Sequence, residues 1–227
     1  MKFLAFIPAR SGSQSIKNKN MRLFHGKPLL HHTIIQAKKI RDLKIFISTD
    51  SLKILKSTKK LGCDQTYLRP KHLSKNNSNI ISSIIHCIKW QKKKGNKFDA
   101  IVVLQPTSPL RSTSELKKAI KTFKEKNFKS LIGVSKMREH PYDCIETKKN
   151  GWNFLRKNLK FSTNRQSYKN NFYYINGSLY ISTVDIILKK KKLVLKNFTK
   201  LFVTSYQSGF EIDYMQDLKI AESLFKN

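Results

Sequence analysis

Residues 3–20 read FLAFIPARSGSQSIKNKN, and this stretch decides the fold. An apolar run over residues 3–7 breaks at Pro8. The loop that follows carries one glycine, Gly12, the side chains of Ser11, Ser13, Gln14 and Ser15, and cations at Arg10, Lys17 and Lys19. An apolar strand ending in a Gly/Ser loop with several cations is how an α/β protein builds a polyanion site, with phosphate the foremost anion. Backbone N–H groups can point inward from such a loop while Arg or Lys supplies charge. An ordinary Gly/Ser loop on a lysine-rich surface has the same composition, so these residues alone leave both readings open. Neither the dinucleotide fingerprint G-x-G-x-x-G nor the Walker A loop is present.

Outward from this stretch, apolar strands alternate with helical patterns, as in an α/β sheet flanked by helices. The first strand is read over 2–8, and a helix opens near Pro28 and runs to Lys39. A second strand covers 44–48, ending in Ser48-Thr49-Asp50, and a helix follows to about Leu61. A short strand is expected at 65–68, before the polar loop RPKHLSKNNSN. Helices are expected over 79–93 and 114–126, and strands over 99–104 and 129–135. Ile80, Ile81, Ile84, Ile85 and Ile88 give the helix over 79–93 an apolar face. Residues 138–175 are aromatic, Asn/Lys-rich and weakly periodic, and read as an arm, lid or subunit-contact element. Strands are expected again at 178–182, 200–204 and 210–212, before a closing helix over 215–225. The expected architecture is one domain, 1–227, including the 138–175 excursion. In such folds ligands gather outside the carboxyl ends of strands, where this chain places its polar loops 9–20, 48–51, 69–79 and 105–111.

The chain has 227 residues, 46 basic against 14 acidic, for a formal net charge of +32. That balance first suggests nucleic acid or an anionic membrane. The cations are spread over most helices, however, and most are Lys, not the Arg that reads bases bidentately. No nucleic-acid motif is recognisable, so no specific nucleic-acid partner is expected. A basic nucleic-acid module remains the competing class. Three cysteines, odd in number and without a C-x-x-C, argue against a disulfide scaffold. No signal-peptide pattern and no membrane-length apolar run is seen, so the expectation is a cytoplasmic protein without membrane insertion.

Three further constellations stand out. Gln105-Pro106-Thr107-Ser108-Pro109-Leu110-Arg111 follows the most apolar strand, and its two prolines stiffen it. Gln105 can read a hydroxyl or amide pattern there, and Arg111 can pair with an anion or cap the next helix. The same residues also make a plain rigid turn. Glu211 and Asp213, at i and i+2 on an extended segment, face one side. Paired carboxylates beside a phosphate site suit Mg²⁺, whereas a surface pair offsetting lysines is the alternative. Asp217 reads as a helix-start brace. Arg165, in the excursion, can receive a carboxylate or stand solvated. His31, His32 and His86 read as packing or capping residues, since no zinc spacing accompanies them.

IPARSGSQSIKNKN, STD at 48–50, LRP at 68–70, LQPTSPLR at 104–111, NGSLYIS at 176–182 and EIDYMQDL at 211–218 resemble, in order, the acylneuraminate cytidylyltransferases. The resemblance spans nearly the whole chain. It implies a three-layer, Rossmann-like nucleotidyltransferase fold, with a mostly parallel mixed sheet. It also implies a homodimer whose excursion crosses to the partner. The implied reaction joins CTP to a nine-carbon, sialic-acid-like 2-keto sugar acid, giving the CMP-sugar and pyrophosphate. Pseudaminate, legionaminate and Kdo are the related sugar substrates. On matching positions, Arg10, Ser13, Lys19 and Asn20 hold the triphosphate, Ser82 and Gln105 contact nucleotide or sugar, Arg165 meets the sugar carboxylate, and Glu211 and Asp213 hold Mg²⁺. Arg10, Lys19 and Asp213 are the implied catalytic set. The chain departs from the family pattern at Gln14 and Ser15, where the loop usually reads G-S-K-G, at Glu211, which replaces an Asp, and at Tyr174, where an Arg is common. These departures keep a catalytically degenerate structural or regulatory homologue among the alternatives.

Overall fold

Strand β1 (Phe3–Pro8) is apolar on both faces. Phe3, Ala5 and Ile7 enter one core cluster, while Leu4 and Phe6 enter another. A strand buried this way needs a helical layer on each side, which is the environment of a parallel sheet. The computed structural model describes residues 1–155 and 171–225 and shows that arrangement. After β1 come a small hairpin, β2 (Leu23–Phe24) and β3 (Lys27–Pro28), then α1 (Leu29–Lys38), β4 (Leu43–Ser48), α2 (Leu52–Ser57) and α3 (Ile80–Lys93). Next are β5 (Ala100–Val103), α4 (Thr113–Glu125), β6 (Ser130–Lys136) and a second hairpin, β7 (Ile145–Lys148) and β8 (Gly151–Phe154). The chain closes with β9 (Tyr173–Thr183), α5 (Val184–Lys190), β10 (Thr199–Val203) and α6 (Met215–Leu224).

The six-stranded sheet has the order β10-β6-β9-β5-β1-β4. β1 pairs in parallel with β4 and with β5, and β10 pairs in parallel with β6. β9 alone runs against its neighbours β5 and β6. Its amino end therefore lies at the same edge as the carboxyl ends of the other five strands. β1 receives β4 on one side and β5 on the other, so the order reverses there. This is the switch point at which open α/β sheets bind ligands.

The helices begin where local chemistry starts them. Ser51, Asn79 and Ser112 each accept a backbone N–H from the first turn of α2, α3 and α4. Asp217 braces the start of α6, its Oδ2 accepting the N–H groups of Asp213 at 2.8 Å and Tyr214 at 2.7 Å. A third apolar cluster, including Ile16, Phe24, Leu29, Ile212 and Leu218, ties the first loop to α6.

Two expected strands are absent. Residues 65–68 form no strand: they pass the carboxyl end of β4, where the Arg69 N–H bonds the Thr49 carbonyl. Tyr67 instead fills the second core cluster, 4.6 Å from the Phe46 ring. Residues 210–212 are likewise irregular, and the Ile212 N–H bonds the Thr107 carbonyl at 2.8 Å. The helix expected to reach Leu61 ends at Ser57, and a separate tight turn covers Lys59–Leu61. No helix among the described residues is long and apolar enough to cross a membrane.

Candidate functional site

At the switch point lies a cavity of about 200 Å³. Pro8 and Arg10 from the end of β1, Asn20, Arg69, Ser83 on α3, and Gln105 with Thr107 after β5 contribute to its wall. Arg10 is held at the rim by Asn76 Oδ1 at 2.9 Å, and its carbonyl accepts the Asn20 amide at 2.9 Å. The loop after Arg10 is tethered by Ser11, whose N–H and hydroxyl both reach Asp50, at 2.8 and 2.9 Å. These contacts leave Arg10 lining the cavity.

Arg69 is the residue that sequence reasoning missed. It is buried, with Nε on the Ser48 hydroxyl at 2.9 Å and Nη2 on the Ser48 carbonyl at 2.6 Å. Nη1 has no hydrogen-bond partner among the described residues, and the side chain lines the cavity. Burial lowers its pKa, with Asp50 and Tyr67 opposing the shift. A desolvated guanidinium with an open donor is a strong, oriented anion or carbonyl reader.

The carboxylates lie beside this cavity. Thr107 donates its hydroxyl to Glu211 Oε1 at 2.8 Å and so links cavity wall to carboxylate. Gly177, at φ +69°, makes room for Glu211: a Cβ there would stand 2.8 Å from Oε2. Burial pushes the Glu211 carboxyl upward, the Thr107 hydrogen bond pulls it back, and the neighbouring Asp213 raises it further. Asp213 is more open, and Lys19 Nζ reaches its Oδ1 at 2.9 Å and the Ile212 carbonyl at 3.1 Å. Lys19 thus stands where a cation would sit on Asp213. No group of three or more His, Cys, Asp or Glu placed to hold a metal ion occurs among the described residues. Two carboxylates are the donor set that Mg²⁺ accepts when substrate phosphates and water complete its shell.

Arg111 does neither thing expected of it. It is buried and holds backbone: Nη2 bonds the Gln105 carbonyl at 2.8 Å, Nε bonds the Ser178 carbonyl, and Nη1 bonds Gln36 Oε1 at 3.1 Å. Burial pulls its pKa down to about 9, against the opposing charge of Glu211. Beneath the site, Asn176 donates to Ser135 at 2.8 Å and Thr204 at 2.7 Å and accepts the Ser178 hydroxyl at 2.7 Å. This fully bonded network fixes β9 against β6 and β10.

The structure therefore brings together Arg10, Asn20 and Gln105 in one cavity wall, with Lys19, Glu211 and Asp213 beside it. Ser13 is half-buried in the same loop but does not line that cavity. On α3, Ser83 lines the cavity and Ser82 is exposed. The helical spacing carried this signal, because Ser83 shares the face of buried Cys87, four residues on. Lys17 lines a different groove. Arg165 lies outside the described residues.

The cytidylyltransferase family profile matches residues 4–226. The chain is 31% identical over its full length to a CMP-N,N'-diacetyllegionaminic acid synthase of Legionella pneumophila, covering 97% of that protein. It is 33% identical to the post-translational flagellin modification protein B of Campylobacter coli, covering 98% of this chain and 94% of that one. In fold it is similar to the solved CMP:2-keto-3-deoxy-manno-octonic acid synthetase complexed with CTP, with a TM-score of 0.71 at 14% identity, over 99% of this chain and 98% of that one. A matched profile of nearly the whole chain and full-length relatives above 30% identity lead to one assignment: the chain belongs to the cytidylyltransferase family.

Proposed function

We propose that the protein couples CTP to a nonulosonic 2-keto sugar acid, releasing pyrophosphate. The observation that carries this reading is a pair of adjoining cavities sharing Gln105 and Ile80. The first, about 200 Å³, has the guanidinium groups of Arg10 and Arg69 for a nucleotide. The second, about 350 Å³, is lined by Tyr180, Lys191 and Lys192 among others, and offers cations and apolar wall to an acidic sugar. The sugar's anomeric hydroxyl attacks the α-phosphorus in line, its proton passes to solvent, and the bond to the pyrophosphate oxygen breaks.

Arg10, Ser13, Lys19 and Asn20 position the triphosphate, while Gln105, between the two cavities, orients the sugar. Positioning and charge neutralisation supply most of the rate in such phosphoryl chemistry. Glu211 and Asp213 would hold Mg²⁺, which when bound neutralises phosphate charge. Lys19, now on Asp213, is placed to turn to a phosphate, and a cation beside Glu211 would offset the cost of burying its charge. The names of the relatives support a sialic-acid-like substrate, with legionaminate and pseudaminate in the same class and Kdo beyond it. A homodimer completed by residues 138–175 belongs to this reading, with Arg165 on the sugar carboxylate.

The test is pyrophosphate release with CTP, Mg²⁺ and a panel of N-acetylneuraminate, legionaminate, pseudaminate and Kdo. Turnover with one of the nine-carbon acids is expected. No turnover with any of them, in protein shown to be folded, overturns the reading.

A further inference from the structure

Behind the first loop, away from Arg10, lies a groove of about 790 Å³ that shares no lining residue with the two cavities above. We propose that this groove is a second ligand site, which takes a nucleoside phosphate and acts on the first loop. Its size lies in the range of small-molecule sites. Lys17, Arg22, Lys53 and Lys219 bring four cations to it from three separate segments, against a single carboxylate, Glu222. The floor between them is apolar, with Met21, Met215 and Leu218. Surface lysines alone hold a bare anion weakly, because water and salt screen them. An anion with a flat organic body also gains contact with the floor, and thioethers pack well on aromatic rings.

Two of the lining residues, Glu222 and Met21, are braced from outside the groove. His25 Nε2–H bonds the Glu222 carbonyl at 3.2 Å, and the His25 ring stacks on Phe225 at 4.3 Å. The Ser57 hydroxyl reaches Met21 Sδ at 3.6 Å. The groove is also joined to the first site through one turn of chain, Lys19–Met21. Lys19 points from that turn to Asp213, whereas Lys17, Asn18, Met21 and Arg22 line the groove. Helix α6, whose Met215, Leu218 and Lys219 line the groove, starts two residues after Asp213. An occupant therefore bears on both partners of the Lys19–Asp213 pair.

Calorimetric titration with CMP at physiological salt tests this on three proteins: wild type, Arg10→Ala, and Lys53→Glu/Lys219→Glu. Wild type is expected to bind two CMP molecules per chain. In the double charge reversal one of them weakens by at least ~10-fold, because like charge now faces the phosphate. Arg10→Ala keeps that one. Met215→Glu, made from a partly exposed position, should weaken the same site by spoiling its floor. Two sites that both survive Lys53→Glu/Lys219→Glu overturn the proposal, as does a single wild-type site indifferent to it. Pyrophosphate bound in the groove as tightly as CMP overturns the nucleoside part. A single site lost in the double variant but intact in Arg10→Ala would keep the groove and defeat the nucleotide role of the first cavity, so the two readings fail separately.

Discussion

The two loops that frame the candidate site are built in opposite ways. Residues 105–111 are pinned from within by neutral backbone acceptors. Arg111 bonds the Gln105 and Ser178 carbonyls, Gln36 bonds the Pro109 carbonyl at 2.6 Å, and the Ile212 N–H bonds the Thr107 carbonyl. Residues 9–20 are tethered mostly through side chains that carry charge: Ser11 on Asp50, Arg10 on Asn76, Lys19 on Asp213. The first kind of loop cannot exchange its partners without unfolding. The second kind can, because its charged side chains hold side-chain partners at the surface that an incoming anion would be able to replace. A site that transfers charge needs one of each: a fixed wall to set geometry and a loop whose ions can be recruited.

The sharpest way to break that contrast is at Arg111. Arg111→Met leaves the Gln105 and Ser178 carbonyls without their buried donor, and should cost about 3 kcal/mol of unfolding free energy. Urea denaturation measures it. Arg111→Lys should recover only part, since one ammonium cannot reach three acceptors in a planar fork. A loss below about 1 kcal/mol would show that the wall does not depend on this residue.

Asp213→Asn probes the exchangeable side. Turnover should fall by at least ~10²-fold, about 2.7 kcal/mol of transition-state stabilisation, while unfolding free energy changes little. A simple field argument predicts the opposite sign, because removing a negative charge from a basic protein favours phosphate. Near-normal turnover at limiting Mg²⁺ would remove Asp213 from the essential set, with Asp50 next to examine.

The smallest effect on stability is expected at Glu211, and its sign is informative. Burial raises its pKa in the folded state. Folding therefore favours the protonated form, and this contribution to stability is present at low pH and lost as pH rises through the folded-state pKa. Glu211→Gln keeps an acceptor for Thr107 and removes the buried charge, so the unliganded protein should melt slightly higher at neutral pH while turnover drops. Thermal scans at pH 5 and 8 check this: the gain over wild type should be larger at pH 8. An equal or reversed gain would show that the carboxylate is not strained by its burial.

Much of the fold was legible because both-face apolar runs such as residues 3–7 and 100–103 have few alternatives in a chain of this length. The two strand errors share one cause. Tyr67 and Ile212 are apolar because they fill core clusters, and burial without a neighbouring strand edge does not make a strand. Arg10 and Gln105 could be read because they follow recognisable strand ends, and Asn20 through the family resemblance alone. Arg69 could not, because its burial depends on Ser48, 21 residues away, and nothing in LRP itself announces that contact. Ser82 differs from Ser83 by one helical position, about 100° of rotation, which a motif match does not resolve but the face shared with Cys87 does.

The reversed strand β9 has a consequence for the order in which the protein is made. It sits between β5 and β6, both of which precede it in the chain. During synthesis the β1–β4–β5 portion can assemble early, but β6 has no neighbour on either side until β9 and β10 emerge. The nascent chain must therefore carry an unpaired apolar strand for the time needed to translate residues 137–183, at ~5–20 residues per second. During that interval, set by where one strand was threaded, the unpaired strand is open to pairing with other chains.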